Sequence, residues 1–250
     1  PGRRGRGGGG QGRVALGKNR TSERSVMEEL AIGIDVGGTK VRAGLVDARG
    51  KVFARAELSV GKERSSKEVS EKAARLAGEL MRGSEGEVEA VGCGVPGIVD
   101  FREGVVRASP GFPGWRDEPM RGMISGALGR PVFMDNDANM HAVGEARFGA
   151  GRGCENVIVL TLGSGIGAGL ILGGKLFRGD EGFAGEVGHV VLEPEGPPCN
   201  CGGRGCLELF AAARSFELIE TRLSGEEAST LRGALGGKGP DPASAAILAR

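Results

Sequence analysis

The sequence lacks an apolar segment near its start of the kind that a secretory signal peptide carries. Residues 1–20 hold six cations and neither an acid nor an aromatic residue. Export is therefore not expected, and we predict a cytoplasmic protein. Because this arm has no apolar periodicity, residues 1–29 are predicted to form a disordered, basic Gly/Arg-rich tail. Without aromatic residues or a fold, the tail is not expected to bind nucleic acid.

Two further absences narrow the class of protein. Only five cysteines occur and three of them fall within residues 199–206, which favours a metal site in a reducing compartment over a disulfide framework. Residues 156–174 lack charge and approach the length of a membrane span, but six glycines and β-branched residues at both ends favour a β-hairpin. No membrane partner is expected.

Glycine, by contrast, is abundant, with 49 residues in a chain that is otherwise ordinary at 39% hydrophobic and 26% charged residues. Much of it lies in short clusters between apolar runs, where it indicates tight turns and close backbone approach, as in phosphate-binding loops. Beyond the basic arm the chain carries 27 cations and 32 acids, so the body of the protein is mildly acidic.

The order of apolar patterns predicts an α/β fold. From residue 30, three β-rich runs separated by turn signals predict antiparallel strands, and residues 67–83 follow as an amphipathic helix. The first half has the pattern β-β-β-α-β-α-β-α. A hairpin at residues 157–172 then opens a second set of strands, followed by a helix at about residues 207–223.

This second set of strands predicts two domains, an N-terminal α/β domain at residues 30–131 and a C-terminal α/β domain at residues 132–250. Residues 239–250 are predicted to begin a helix. Because the chain starts with Pro1 rather than Met and ends within that element, we expect it to be a fragment whose C-terminal domain is incomplete.

Two glycine-rich turns are candidate phosphate-binding loops. The first, at residues 35–40 (DVGGTK), lies between two strands, so its glycines can bring backbone N–H groups against a phosphate while Thr39 adds a hydroxyl. Asp35 is suited to hold Mg²⁺ through water. The second, at residues 162–167 (LGSGIG), would clamp a polyphosphate from the other half of the chain, although alone it also fits a bulged hairpin.

The strongest signal is a set of one imidazole and three thiolates, which is typical of a tetrahedral zinc site. Glycines between the last two cysteines let the loop fold tightly enough for the sulfurs to converge. Such a closed set leaves no position for water, so we expect a structural rather than a catalytic zinc. The predicted ligands are His189, Cys199, Cys201 and Cys206.

Acidic residues flank this zinc loop and follow a predicted strand elsewhere. Glu186 and Glu208 lie beside the loop, where rigid carboxylates are suited to bind sugar hydroxyls rather than only to be solvated. Residues 135–139 (DNDAN) lie between a strand and a helix, where one of them can cap the helix. A carboxylate at this strand end is also where a kinase needs a base, and the sequence leaves both interpretations open.

Taken together, these motifs resemble the repressor, open-reading-frame and kinase (ROK) family, and in particular its bacterial glucokinases. The resemblance runs from about Ala31 to the end of the chain and includes the order of the motifs, which are IDVGGTK, GVPGIVD, DNDAN, TLGSGIGAG, GEVGH and CNCGGRGCLE. It implies the actin-like ATPase (ribonuclease H-like) fold, with two α/β domains around a cleft. It also implies ATP-dependent phosphorylation of a hexose 6-hydroxyl, with glucose expected first, and a homodimer or homotetramer.

The resemblance further implies a role for each matching residue. Asp137 corresponds to the general base that takes the proton of the attacking hydroxyl. Sugar contacts are implied for Asn136, Glu186, His189, Glu208 and Gly97. Nucleotide phosphate and Mg²⁺ contacts are implied for Asp35, Gly37, Gly38, Thr39 and Lys40 in the first loop and for Thr161, Gly163, Ser164 and Gly165 in the second.

One departure from the family pattern bears on the sugar. The family's glucokinases carry Pro-Asn-Leu before Pro-Gly-Trp, and that Asn contacts the sugar, whereas residues 109–115 here read SPGFPGW. Mannose, fructose, N-acetylglucosamine and N-acetylmannosamine therefore stay open as substrates. A sugar-sensing transcriptional regulator of the same family is the other alternative, but it needs a winged-helix domain that the thirty polar residues before the first loop cannot form.

Overall fold

The computed structural model describes residues 29–62, 64–212 and Ser215, and it also assigns strands at Val14–Ala15 and Ala245–Ala249. The described chain contains three β-sheets and their helices, which confirms the predicted α/β class. The strands are β1 (Val14–Ala15), β2 (Leu30–Val36), β3 (Lys40–Asp47), β4 (Val52–Ser59), β5 (Val88–Val95), β6 (Ile98–Asp100), β7 (Val105–Ala108), β8 (Arg116–Glu118), β9 (Val132–Asn136), β10 (Val157–Leu162), β11 (Ile166–Leu172), β12 (Lys175–Phe177) and β13 (Ala245–Ala249). The helices are α1 (Ser66–Arg82), α2 (Met120–Leu128), α3 (Asp137–Phe148) and α4 (Glu208–Ala211), with a single 3-10 turn at Val187–His189.

The largest sheet has six strands in the order β1-β4-β3-β2-β5-β9. Strands β2, β3 and β4 form the predicted antiparallel meander, whereas β5 and β9 run parallel to β2. Along β2, Ile32, Ile34 and Val36 are buried in the core, while Gly33 and Asp35 alternate with them and point to the opposite face. This alternation places Asp35 at the carboxyl end of β2, away from the core.

Helix α1 supplies most of the helical side of that core, as its periodicity predicts. Val69, Leu76 and Leu80 recur at helical spacing and are buried. The Ser65 hydroxyl accepts a hydrogen bond from the Glu68 backbone N–H at 3.3 Å and so caps the first turn. The observed helix matches the predicted one within one residue at each end.

The second sheet has four antiparallel strands in the order β12-β11-β10-β13. The predicted hairpin at residues 157–172 is confirmed as β10 and β11, so the uncharged stretch is strand rather than helix. Helix α3 packs on this hairpin through Ala142, which is buried with Val157, Val159 and Ile171. Because α3 directly follows β9 of the first sheet, its first turn lies where the two sheets meet.

Some predictions need correction or fall outside the described residues. The helix predicted at residues 239–250 is wrong for Ala245–Ala249, which pairs with β10, because a short apolar run suits either state and the edge of β10 offers backbone partners. The helix predicted near 207–223 is described only as α4, and most of the predicted tail also lies outside the described residues. The small sheet β6-β7-β8 has strands of only three or four residues, too short for a periodic signal.

The predicted domain boundary at residue 132 stays a prediction, and β9, which begins there, pairs with β5 in the first sheet. Among the residues that the structure describes, none of the helices combines the length and the apolar character needed to cross a membrane.

Candidate functional site

The junction of β9 and α3 is built by the DNDAN segment. Asn136 is the N-cap of α3: its side-chain oxygen accepts hydrogen bonds from the backbone N–H groups of Ala138 and Asn139 at 2.9 and 3.3 Å. Its amide nitrogen donates to the Gly97 carbonyl at 3.0 Å. One residue of the segment is therefore the cap, and Asp137 is left as the first residue of the helix.

Asp137 is a half-buried carboxylate at the entrance to this helix. Burial raises its pKa, and so does the negative charge of Asp35, whereas a hydrogen bond from the Ala138 backbone N–H and the nearby His141 oppose the rise. Asp35 and Asp137 line one depression of about 400 Å³, together with Met140 and His141. One residue of the first glycine loop, Asp35, and one of the DNDAN segment, Asp137, thus share this depression.

The first glycine loop is a tight turn between β2 and β3. The Gly37 N–H donates to the Lys40 carbonyl at 2.9 Å, and the Arg64 guanidinium donates to the Gly38 carbonyl. Asp35 pairs with Arg42 at 3.2 Å on the exposed face of the sheet. Lys40 is turned towards β4, where its ammonium group lies 2.5 Å from a Glu57 carboxylate oxygen.

The second glycine loop closes the β10-β11 hairpin, where the Gly163 N–H donates to the Gly165 carbonyl at 2.9 Å. Glycine is required further along β11, because a Cβ on Gly169 would lie 2.5 Å from the Ala138 carbonyl oxygen of α3. A Cβ on Gly167 would lie 2.8 Å from the Thr161 hydroxyl. This close approach holds the start of α3, and so Asp137, against the hairpin.

The predicted zinc ligands converge. The donor atoms of all four residues lie within 4.8 Å of one another. The Cys199 sulfur lies 3.7 Å from Nδ1 of His189, and the Cys201 and Cys206 sulfurs are 3.7 Å apart. Thiolates this close repel one another, so a divalent cation is the natural counter-charge for the set. The residues present therefore fit zinc.

Tight glycine turns shape the loop around these ligands. Gly205 adopts a φ of +61°, and a Cβ there would collide with the Glu193 carbonyl. On the other side, Gly188 passes so close to β11 that its Cβ would lie 2.3 Å from the Ile166 carbonyl oxygen. The metal loop is therefore anchored directly on the hairpin that carries the second glycine loop.

Glu186 and Glu208 both lie at this junction, but their surroundings differ. Burial raises the pKa of Glu186, His189 opposes this rise, and the negative charges of Asp137 and Glu208 add to it. A Glu186 carboxylate oxygen is 3.9 Å from Nε2 of His189, on the side of the ring away from the sulfurs. Glu208 accepts a hydrogen bond from the Ile166 backbone N–H at 3.1 Å, so it also braces the second glycine loop.

Sequence reasoning missed an ion pair beneath the site. Asp135 is only 4% exposed and accepts a hydrogen bond from Nε of Arg178 at 2.7 Å. The Arg178 guanidinium also stacks over the Phe101 ring, 4.2 Å from its centroid. Asp135 belongs to a motif that the sequence makes conspicuous, but no local signal marks Arg178 or Phe101 as its partners.

Comparisons with known proteins agree with this geometry. The sequence profile of the ROK family matches residues 31–234. The glucokinase of Thermotoga maritima is 43% identical over 186 residues, which cover 74% of this chain and 58% of that protein. The xylose repressor of Caldicellulosiruptor bescii is 35% identical over 220 residues, covering 83% of this chain and 54% of that protein. The chain thus spans a little more than half the length of these curated relatives.

A solved structure extends the likeness to three dimensions. The crystal structure of a ROK family glucokinase from Streptomyces griseus in complex with glucose and AMPPNP matches with a TM-score of 0.70 and 36% identity, over 84% of this chain and 66% of that one. This match confirms the expected actin-like ATPase fold. Since the family profile covers most of the sequence and the fold agrees, the chain belongs to the ROK family.

Proposed function

We propose that the chain forms the larger part of a sugar kinase that transfers the γ-phosphoryl group of ATP to the 6-hydroxyl of a hexose, with glucose as the preferred substrate. One observation carries the proposal: Asp137, a half-buried carboxylate with a raised pKa, lies within electrostatic reach of both Asp35 and Glu186. The proposed base thus lies between Asp35 of the first glycine loop and Glu186 beside the metal loop. The glucokinase relatives, and glucose with AMPPNP in the Streptomyces griseus structure, favour the same chemistry.

Asp137 is the proposed general base. As the sugar oxygen attacks the γ-phosphorus, its proton passes to the Asp137 carboxylate and the bond from the γ-phosphorus to the β,γ-bridging oxygen breaks, with ADP as the leaving group. A raised pKa makes the Asp137 carboxylate a stronger proton acceptor. Helix α3 fixes the carboxylate, because its first turn is capped by Asn136 and packed against β11.

The sugar is proposed to lie between Asp137 and the metal loop. Glu186 and Glu208 supply carboxylate acceptors for sugar hydroxyls, and Nε2 of His189 stays available because Nδ1 faces the sulfurs. Asn136 and Gly97 are the proposed contacts on the opposite side. Their mutual hydrogen bond holds them in place before any sugar binds.

The triphosphate is proposed to lie between the two glycine loops, one from each sheet. Backbone N–H groups and hydroxyls of these turns suit phosphate oxygens, and Asp35 would hold Mg²⁺. Magnesium, when bound, neutralises charge on the phosphates. Lys40 pairs with Glu57 in this structure, so a contact with phosphate requires it to leave that exposed ion pair. The proposed phosphate contacts are Gly37, Gly38, Thr39, Lys40, Thr161, Gly163, Ser164 and Gly165.

Zinc is proposed as a structural ion held by His189, Cys199, Cys201 and Cys206. The metal, when bound, fixes the loop and the orientation of the His189 ring, and the four protein ligands leave no place for a reacting water. A cytoplasmic location agrees with thiolates that must stay reduced. The two-domain division at residue 132 and self-association as a homodimer or homotetramer complete the proposal.

The decisive experiment is a coupled ADP-release assay on the full-length protein that contains this chain. The panel consists of glucose, mannose, fructose, N-acetylglucosamine and N-acetylmannosamine, with sugar-free ATP hydrolysis as the blank. We expect the largest kcat/KM with glucose. Tight sugar binding without any ADP release would instead favour the sugar-sensing regulator, the class to which the repressor relative belongs by name.

A further inference from the structure

The Asp135 carboxylate is almost completely removed from water, yet both of its oxygens are hydrogen-bonded. One accepts from Nε of Arg178 at 2.7 Å. The other accepts from the backbone N–H of Asn136 at 2.8 Å and from the side-chain amide of Asn139 at 2.9 Å. Asp135 therefore joins three elements: its own strand β9, the first turn of α3 and the segment after β12.

Arg178 is the first residue of the segment that leads to Glu186. Its carbonyl accepts from the Ala184 N–H at 2.9 Å, which closes residues 178–184 into a compact loop. At the next residue, Gly185, the chain passes against β11 so closely that a Cβ would lie 2.1 Å from the Ala168 carbonyl oxygen. The position of Glu186 is thus set by β11 on one side and by the anchored loop on the other.

We propose that the Asp135–Arg178 ion pair is a positioning device that fixes the Glu186 loop relative to the base Asp137, an inference that rests on the proposed function. Asp135, near the end of β9, lies two residues before Asp137 at the start of α3, and Arg178 begins the loop that ends at Glu186. A short ion pair with a buried carboxylate has one strongly preferred geometry, which makes it suited to set the spacing between two groups. The Phe101 ring restricts the guanidinium further by covering its face.

Stability alone does not account for such a pair. Desolvation of the Asp135 carboxylate offsets much of its attraction to Arg178, whose side chain is 31% exposed, so the pair contributes little net stability. Removing Arg178 nevertheless leaves a buried carboxylate without its counter-charge. Arg178→Met alone is therefore a poor test, because the orphaned Asp135 carboxylate destabilises the whole fold. The double variant Asp135→Asn with Arg178→Met removes the pair without burying an unpaired charge, and the amide oxygen introduced at position 135 keeps an acceptor for Asn139.

The test compares the full-length parent, the single Arg178→Met variant and the double variant by hydrogen exchange of peptides covering residues 179–188, without ligand. Thermal unfolding and glucose titration calorimetry are measured on the same samples. We expect the single variant to lose melting temperature and the double variant to recover it. In the double variant, exchange of these amides should nevertheless stay faster than in the parent. Glucose affinity should fall about tenfold, because Glu186, a proposed hydrogen-bond acceptor for the sugar, is no longer held in place.

A matched control removes an exposed ion pair, Arg130–Glu87 at 3.3 Å, by Glu87→Gln with Arg130→Met, and should leave loop exchange and glucose affinity unchanged. If the amides of residues 179–188 exchange at the same rate in the stable double variant as in the parent, the inference is wrong. A pair that positions this loop must leave the loop less protected when the pair is removed. Because hydrogen exchange is measured without sugar, it tests the inference even if the parent binds no glucose. A parent that binds no glucose would count against the proposed function instead.

Discussion

Asp137, the proposed general base, has a pKa that is set by opposing influences. Burial is the largest of these and raises the pKa, and Asp35 on β2 acts in the same direction. His141, one turn along α3, lowers it. Because the base acts in its ionised form, kcat/KM should fall as the pH drops through this raised pKa.

Replacing His141 by Gln should move this fall in kcat/KM, which is the acidic limb of the pH profile, to higher pH. The change removes the positive charge that lowers the pKa of Asp137, while the opposing influences of burial and Asp35 remain. The measurement is the pH profile of kcat/KM for glucose, with the acidic limb compared between parent and variant. At pH values well above this limb, kcat/KM should change little, since Asp137 is ionised there in both proteins.

Arg147→Gln is the matched control for this shift. It removes a positive charge from the same helix, but at its last turn, away from Asp137. Its acidic limb should coincide with that of the parent. A shift of the limb to lower pH in His141→Gln, or equal shifts in both variants, would contradict the account of Asp137.

At the residue scale, side chains that occur in a chemically unusual set can be predicted from the sequence, whereas side chains whose partners are distant in the chain cannot. One imidazole and three thiols predict the metal cluster, since few other arrangements use that set, and the structure brings the four together. The partners of Asp135 are not predictable in this way. Arg178 lies 43 residues away, and only the fold brings it to β9.

Among the elements, the segment between β12 and the 3-10 turn at Val187–His189 packs tightly against β11. Gly185 combines a φ of +90° with a β11 carbonyl only 2.1 Å from where a Cβ would lie. Gly153 has nearly the same φ, +85°, but open space around it. The two positions therefore separate backbone strain from steric collision.

Gly185→Ala should destabilise the protein more than Gly153→Ala does. Both variants carry the strain of a left-handed residue, about 1–2 kcal/mol, but only the first also displaces the chain from β11. Because Glu186 is the next residue, Gly185→Ala should in addition raise the KM for glucose, with KM for ATP less affected. Equal losses of melting temperature and unchanged sugar KM in both variants would show that the close approach to β11 is unimportant.

The metal loop should hold its shape only with all its ligands. Cys201→Ser removes one thiolate of the four-ligand set and should release zinc, as elemental analysis of the purified protein would show. Sugar affinity should weaken about tenfold or more, because His189 is one of the ligands and Glu186 and Glu208 flank the loop.

Cys154→Ser is the control for the zinc experiment, because Cys154 is a free thiol outside the cluster. Zinc content and sugar affinity should both match the parent. Loss of zinc from Cys201→Ser without any change in sugar affinity would separate the metal loop from the sugar site and count against their proposed connection.

Element by element, the patterns that are long and regular are the ones that the sequence predicts. The meander from residue 30, helix α1 and the β10-β11 hairpin each present several residues at a clear period. Strands β6, β7, β8 and β12 have three or four residues and give no usable period. Residues 245–249 form a strand rather than the predicted helix, because their pairing with β10 is a tertiary contact that local sequence does not specify.

For the whole molecule, the central feature is the meeting of two sheets at the first turn of α3. That turn belongs to the first sheet through β9 and packs on the second through β11. Asp35 acts on Asp137 from the first sheet, and the charge of Asp137 in turn reaches Glu186, which also feels the charge of Glu208. The order of motifs predicts membership of the ROK family, which the comparisons confirm, whereas the contacts across the junction require the three-dimensional structure.

The most direct test of this account is the pair of measurements on Asp137→Asn, turnover and sugar binding in the same preparation of the full-length protein. Loss of a general base should lower kcat by roughly 10²–10⁴-fold, while the isosteric amide leaves the pocket intact. We expect the glucose dissociation constant from titration calorimetry to stay within about twofold, with turnover at or near the sugar-free blank. Turnover equal to that of the parent would contradict the assignment of Asp137 as the base.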